Sequence, residues 1–303
     1  MDLATLKRQF LEYLEIERGR SLKTVENYSR YLERFFTFVK VTKPVDITEE
    51  HIREFRSYLN REPGTKVGGR VESMKQRTQN YYLIALRVFL KYINGRGIET
   101  ISPARIELAK ISERSLNLIS TTELVRLRTA PNTNELAGKR DKAILELLFS
   151  TGLRISELCA LSINDVDLTR DEFPVRGTGG KIRMVFLSDA ARCSIENYRK
   201  ARRDFDSAMF IRYGRKANDG GDLRLHPRAV QRLLIKYAGQ AGITRRITPS
   251  IIRHSFAADL LQNGTDIQSV QALLGHASIN TTQVYTHVTD KHTRDIHKKF
   301  HEK

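Results

Sequence analysis

Four short clusters carry the side chains from which this sequence could build a reaction centre. The first is Thr151-Gly152-Leu153-Arg154-Ile155-Ser156-Glu157-Leu158. An apolar helix is predicted to stop at Gly152 and the next to begin at Arg154, which then stands where backbone N–H groups also point toward an anion. A plain helix–helix corner, with Arg154 paired to Glu157 on the surface, would read the same. The second is Lys181, at the exit of the turn Gly177-Thr178-Gly179-Gly180, with Arg183 just beyond on the strand. A hairpin tip projects a lysine away from its sheet and into reach of a duplex groove, although a solvated turn lysine looks no different. The third is Arg253-His254-Ser255-Phe256, near a helix start. The fourth is Leu274-Gly275-His276 followed by Thr281-Thr282-Gln283-Val284-Tyr285. Gly275 ends one helix and leaves His276 in a turn, and Tyr285 follows on the next helix. Taken alone, such a tyrosine is more often a core or rim aromatic than a nucleophile.

What is missing narrows the chemistry. The sequence has no HExxH, no CxxC pair, no GxxxxGK(S/T) and no GxGxxG, so zinc hydrolysis, nucleotide hydrolysis and dinucleotide redox lack their usual signatures. Its acids are scattered without an obvious metal-binding pair, which weakens a two-metal nuclease reading. Cutting DNA without a metal needs cationic side chains to offset charge on the phosphate, and a side-chain nucleophile to hold the cut end. The order and spacing of the four clusters meet that description together, and no single one does.

The charge balance agrees. Lys and Arg number 52 against 35 acids, which gives +17 and a pI near 10.0, the footprint expected of a protein that binds a polyanion such as nucleic acid. At 303 residues, two domains are expected. The opening Met1-Asp2-Leu3-Ala4-Thr5-Leu6-Lys7-Arg8 has early charges and no continuous apolar core, so no signal peptide is expected. The best apolar run, Tyr81 to Leu86, is far too short for a membrane span. Cys159 and Cys193 give neither a disulfide framework nor a metal cluster and read as small buried hydrophobes in a reducing compartment.

The elements that must position the clusters follow from hydrophobic spacing. Leu6, Phe10, Tyr13, Leu14 and Ile16 recur at helical intervals. Ser21 is expected to cap a second helix through Val39, and Thr48 a third, with acids in its first turn. Arg61 to Arg70, with Pro63, Gly64, Gly68 and Gly69, reads as a mobile basic loop, and Ser73 to Ile93 as a fourth helix. The linker is expected within Glu99 to Ile119, with a helical domain at 1–107, the linker at 108–118 and a second domain at 119–303. Through residue 107 there are 20 basic and 14 acidic residues, net +6, and beyond it 32 and 21, net +11. Two basic halves suit a clamp closing on one polyanion, and two independently basic domains would look alike. The second domain is predicted to hold helices at Thr121–Arg128, Leu136–Ser150, Asp189–Arg203, Pro227–Gly239, Ser250–Gln262, Asp266–Leu274 and Ser278–Thr286. A β-hairpin is expected from Phe173–Arg176 and Ile182–Leu187. The fold class is therefore mostly α with a small antiparallel β-sheet in the C-terminal domain.

The stretches TGLRISEL (Thr151–Leu158), GTGGKIR (Gly177–Arg183), IIRHSFAADLLQNG (Ile251–Gly264) and VQALLGHASINTTQVYTHV (Val270–Val288) resemble the catalytic domain of the tyrosine recombinases, and most closely the Xer recombinases. Residues Leu6 to Phe38 resemble that family's helical, SAM-like core-binding domain. The resemblance covers almost the whole chain. It implies a two-domain, C-shaped DNA clamp. It also implies that Arg154 and Arg253 grip the non-bridging oxygens of the scissile phosphate, Lys181 protonates the departing 5′ oxygen, His276 donates a hydrogen bond to the phosphate, and Tyr285 attacks phosphorus. Strand exchange would then need no cofactor, metal or ATP.

One position departs from that pattern. The family usually has histidine, sometimes lysine, three residues before the second arginine, and here that residue is Ser250. Serine after Pro249 is expected to serve as the helix N-cap. As a hydroxyl is no base near neutral pH, the enzyme is expected to be active but slower. His254 lies one turn further on. The resemblance further implies a last helix docking on a neighbouring protomer through Ile296 and Phe300. Its partners would be duplex DNA with paired half-sites, a homo- or hetero-tetramer on that DNA and a DNA translocase, in the cytoplasm with the nucleoid. Lys75, Arg77 and Asn80, together with Arg228 and Arg232, are the candidate DNA contacts outside the site. An integrase of a mobile element would show the same catalytic residues, and a type IB topoisomerase fits the chemistry but not the N-terminal domain. A DNA-binding architectural protein that has lost catalysis is the reading that Ser250 motivates.

Overall fold

The structure, a computed structural model, describes residues 1–67, 70–111, 117–213 and 222–285. The chain divides into two compact units, Met1–Arg114 and Ser115–Lys303.

The first unit is helical for the reasons its sequence states. Helix α1 (Leu3–Ile16) buries Leu3, Leu6, Phe10 and Leu14, a stripe at three- and four-residue spacing. Helix α2 (Leu22–Val39) starts at Ser21, whose hydroxyl accepts from the Thr24 N–H. Helix α3 (Glu49–Arg61) starts at Thr48 in a capping box with His51, and Glu49 and Glu50 occupy the dipole-favoured first turn. Helix α4 (Gln76–Asn94) crosses the middle and buries Leu83, Leu86, Phe89, Leu90 and Ile93. Around it, Phe10 meets Phe89 edge-on at 5.4 Å and Phe35 meets Phe55 at 5.1 Å.

The basic segment expected to be a loop forms part of an antiparallel ribbon. Strand β1 (Pro63–Val67) pairs with β2 (Arg70–Ser73), Lys66 opposite Val71 and Val67 opposite Arg70. Pro63 and Gly64 look like breakers, but Pro63 is the first residue of its strand, where a missing N–H breaks little of the ladder. The ribbon takes Ser73, so α4 begins three residues later than its spacing suggested.

The second unit is mostly α with one small sheet. Helices α5 (Thr121–Thr129), α6 (Leu136–Thr151), α7 (Ile155–Ala160), α8 (Asp189–Ala201), α9 (Pro227–Gln240), α10 (Pro249–Gln262), α11 (Ile267–Leu274) and α12 (Asn280–Gln283) surround a core that includes Ile144, Leu148, Leu153, Tyr198 and Leu234. Strands β3 (Glu172–Arg176) and β4 (Ile182–Phe186) pair antiparallel, from Glu172 opposite Phe186 to Arg176 opposite Ile182. They face the core with Phe173, Val175 and Val185, and Gly179 and Gly180 supply the positive φ of the turn. A smaller apolar cluster joins Ala257, Val270 and Leu274 to Tyr285. Ser250 is not the cap of its helix: Thr248 is, its hydroxyl accepting from the Ile251 N–H, and Pro249 takes the first helical position. The expected tail contacts Ile296 and Phe300 lie outside the described residues. No described helix is long and apolar enough to cross a membrane.

Candidate active site

The site is assembled at the carboxyl end of α11. The last carbonyls of a helix lack intrahelical partners and carry the negative end of its dipole. Here three arginines from three elements take them. The Arg183 Nε–H donates to the Leu273 carbonyl (2.8 Å), Arg253 to the Leu274 carbonyl, and Arg154 to those of Leu274 (3.3 Å) and Gly275 (3.2 Å). Arg253 also donates to the Gly152 carbonyl at 2.6 Å. The helix end thus fixes the arginines, and they in turn fix where the chain after it begins.

One carboxylate holds the cluster together. Glu157 is buried and accepts both Nη1 and Nη2 of Arg183 (2.9 and 2.7 Å), Nη1 of Arg154 (2.9 Å) and the Arg154 backbone N–H (2.9 Å). Burial alone would raise its pKa, but the Arg183 and Arg154 hydrogen bonds hold it below the ordinary carboxylate value. That N–H, expected to point at an anion, is spent on Glu157. Three guanidinium groups against one carboxylate leave the centre with excess positive charge. Arg253 records this: burial first, then Arg154 and Arg183, pull its pKa down to about 10. It stays protonated at neutral pH, and an anion would relieve its surroundings.

Gly152 makes the arrangement possible. It caps α6 with φ +58°, and a Cβ there would lie 2.5 Å from the Phe256 ring of α10. Without a side chain at Gly152, α6 and α10 close far enough for Arg253 to reach its carbonyl. Gly275, with φ +62°, turns the chain out of α11 so that His276 faces back inward. The His276 Nδ1 pairs with the Thr282 hydroxyl at 2.9 Å. Burial, then Arg253 and Arg154, press the His276 pKa down to about 4, so the ring is neutral at physiological pH.

Tyr285 closes the site. Its ring is buried against Ala257, Val270 and Leu274, and stacks at 6.4 Å on His276. Its hydroxyl lies 2.6 Å from the His254 Nδ1. Burial raises the phenol's pKa, while the Arg253 and Arg154 charges pull it back. Arg154, Arg253, His276 and Tyr285 therefore converge. Lys181 is exposed at the exit of the β3–β4 turn, which the Gly177 N–H closes on its carbonyl at 2.8 Å. A Cβ on Gly177 would sit 3.3 Å from both Arg183 and Glu157, so the base of that turn rests on the arginine cluster. Ser250 is exposed in the first turn of α10.

Of the candidates outside the site, Arg77, Arg228, Arg232 and Lys75 are exposed, Lys75 at the N-cap of α4. Asn80 is a correction. It is buried, donating to the Ala109 carbonyl (2.9 Å) and accepting from its N–H (3.1 Å), so its amide secures the chain after α4 instead of facing solvent. The Glu157–Arg183 pair and the His254–Tyr285 contact escape sequence reasoning, because 26 and 31 residues separate their members.

Residues 117–292 match the phage integrase family and residues 8–103 match the phage integrase N-terminal SAM-like domain. Tyrosine recombinase XerC of Thermodesulfovibrio yellowstonii is 34% identical over 302 residues, covering 96% of this chain and 94% of the relative. Tyrosine recombinase XerD of Listeria monocytogenes serovar 1/2a is 34% identical, with 98% of each chain covered. The XerH recombinase, solved bound to its palindromic difH substrate after cleavage, shares the fold at 22% identity and a TM-score of 0.70, over 98% of this chain and 85% of its own.

Proposed function

The chain belongs to the phage integrase family, as a Xer-type site-specific tyrosine recombinase that exchanges DNA strands, and from that premise we propose that Tyr285 is the nucleophile. The scissile phosphate lies over the excess positive charge that Arg154, Arg183 and Arg253 leave above Glu157. Arg154 and Arg253 take the non-bridging oxygens, where a planar guanidinium that stays charged donates in a fork matched to phosphate. His276, neutral and oriented by Thr282, donates to the same phosphate. Tyr285 attacks phosphorus while Lys181 gives a proton to the departing 5′ oxygen, leaving a 3′-phosphotyrosyl link and a 5′ hydroxyl. The link conserves the phosphodiester energy, so the 5′ hydroxyl of a second strand reverses the attack without ATP. The fixed cations stabilise the charge-rich pentacovalent transition state between the two.

The observation that carries this reading is the Tyr285 hydroxyl, enclosed with two histidines beside two guanidinium groups. Nicked suicide duplexes, carrying sites the protein selects from a random-sequence pool, test it on denaturing gels. The native protein is expected to become covalently attached and Tyr285→Phe is not, and attachment of Tyr285→Phe would remove the assignment.

The same reading extends to partners. Residues 1–107 form the core-binding domain, 108–118 the linker and 119–303 the catalytic domain, and both domains contact one duplex with paired half-sites on which four protomers assemble. Arg77, Arg228, Arg232 and Lys75 are its backbone contacts. The role is resolution of chromosome or plasmid dimers in the cytoplasm, with Ile296 and Phe300 docking on the neighbouring protomer.

A further inference from the structure

The departure at position 250 raises the question of where the phenolic proton of Tyr285 goes. Ser250 is exposed in the first turn of α10, and its hydroxyl has no useful proton affinity near neutral pH. One turn further along the same helix, the His254 Nδ1 lies 2.6 Å from the Tyr285 hydroxyl, within reach for direct proton transfer. The two rings are tilted by 50° with centroids 5.4 Å apart, so the contact is edge-on through the nitrogen rather than a stack. Ala257, Val270 and Leu274 pack around the tyrosine and hold it there.

We propose that His254 is the general base of the cleavage step, taking the phenolic proton of Tyr285 as its oxygen attacks phosphorus. The proposal rests on Tyr285 being the nucleophile. The proton count closes in both directions. As the Tyr285 Oη–P bond forms and the P–O5′ bond breaks, His254 becomes an imidazolium and Lys181 hands its proton to the 5′ oxygen. In rejoining, Lys181 takes the proton of the attacking 5′ hydroxyl and His254 returns its own to the phenol.

The surroundings suit the role. Burial first, and then the adjacent Arg253, keep the His254 pKa below its ordinary value, so the ring is neutral at neutral pH, and the tautomer with its proton on Nε2 leaves Nδ1 free to accept. The charged and titratable groups around the pair are Arg253 on the same helix, Arg154 at the start of α7, and His276 across the tyrosine ring. Arg253 opposes protonation of His254, and Arg253 and Arg154 together pull the phenol's pKa back against burial. A neutral imidazole thus works beside a buried phenol, and the two arginines partly offset what burial costs its anion. The serine at 250 then costs little, because the proton has another acceptor.

Single-turnover cleavage of selected nicked suicide duplexes tests this. His254→Ala is expected to cleave about 10²-fold more slowly or worse at pH 7, with unchanged affinity for the duplex. Added imidazole is expected to restore the rate, and the variant's unaided rate to keep rising with pH where the native profile is flat. His254→Gln, which keeps a polar partner on the phenol but takes up no proton, is expected to be as slow and serves if the alanine variant fails to fold. Native or faster cleavage by either variant overturns the proposal, the faster result marking His254 as a latch on the tyrosine. A slow His254→Ala that imidazole leaves slow also overturns it, as a loss of packing. Attachment that survives Tyr285→Phe refutes the nucleophile itself, whereas attachment that needs Tyr285 but not His254 refutes only the base.

Discussion

Glu157 is the residue on which the cationic centre depends. It neutralises one of three guanidinium groups and fixes two of them, so Glu157→Gln leaves buried positive charge uncompensated. The variant is expected to lose about 3–5 kcal/mol of stability in denaturant unfolding, because Arg183 and Arg154 both lose their charged acceptor. The pH dependence runs in a defined direction. The folded-state pKa of His276 is depressed to about 4 from an ordinary value near 6.5, so its contribution is fully present above 6.5 and lost as pH falls toward 4. Melting temperature should therefore drop across that window, and His276→Gln should flatten the drop. Ser250→His is expected to leave single-turnover cleavage within about threefold of native, since His254 already holds the phenol. A rise of 10²-fold or more would mark Ser250 as the handicap that the sequence suggests. That Arg154, Arg253, His276 and Tyr285 belong to one cluster follows in the sequence from the resemblance of their motifs and from no single residue, and the fold brings the four together. The partners of those residues were not legible there, since Glu157 meets Arg183, and His254 meets Tyr285, only after separate elements have packed.

Helix ends do most of the positioning at the next scale. Gly152 must adopt a left-handed conformation and admit the Phe256 ring, so Gly152→Ala combines about 1–2 kcal/mol of backbone strain with crowding of similar size. It is expected to destabilise by about 2–4 kcal/mol and, by pushing α10 away, to lower cleavage more than stability alone explains. Chemical denaturation alongside single-turnover rates separates the two effects. The periodic segments of both units were readable in advance, including the caps at Ser21 and Thr48. The start of α10 was not, because Thr248 and Ser250 are both competent caps and only Pro249 at the first helical position decides between them. The β1–β2 ribbon was missed for a related reason: Pro and Gly signal a break in regular structure, and at a strand's first residue they break nothing.

Across the whole molecule, charge decides what the protein meets and the buried centre decides what it does there. With +17 overall and excess basic residues in both sequence halves, DNA affinity is expected to fall steeply with salt. Arg77→Ala and Arg232→Ala should each weaken binding alike on all sequences and reduce the slope of log affinity against log salt by about 1, as measured by titration at several salt concentrations. The family and the mostly α architecture were open to the sequence, since motif order and helical periodicity both survive in one dimension. The electrostatic centre belongs to the folded chain. Its chemistry is tested most directly by locating the covalent bond. After reaction with a suicide duplex and digestion with trypsin and nuclease, mass spectrometry should find the nucleotide on the peptide His254–Lys291, joined to Tyr285 through a 3′ phosphate. A nucleotide on any other residue, or a link through a 5′ phosphate, would contradict the account.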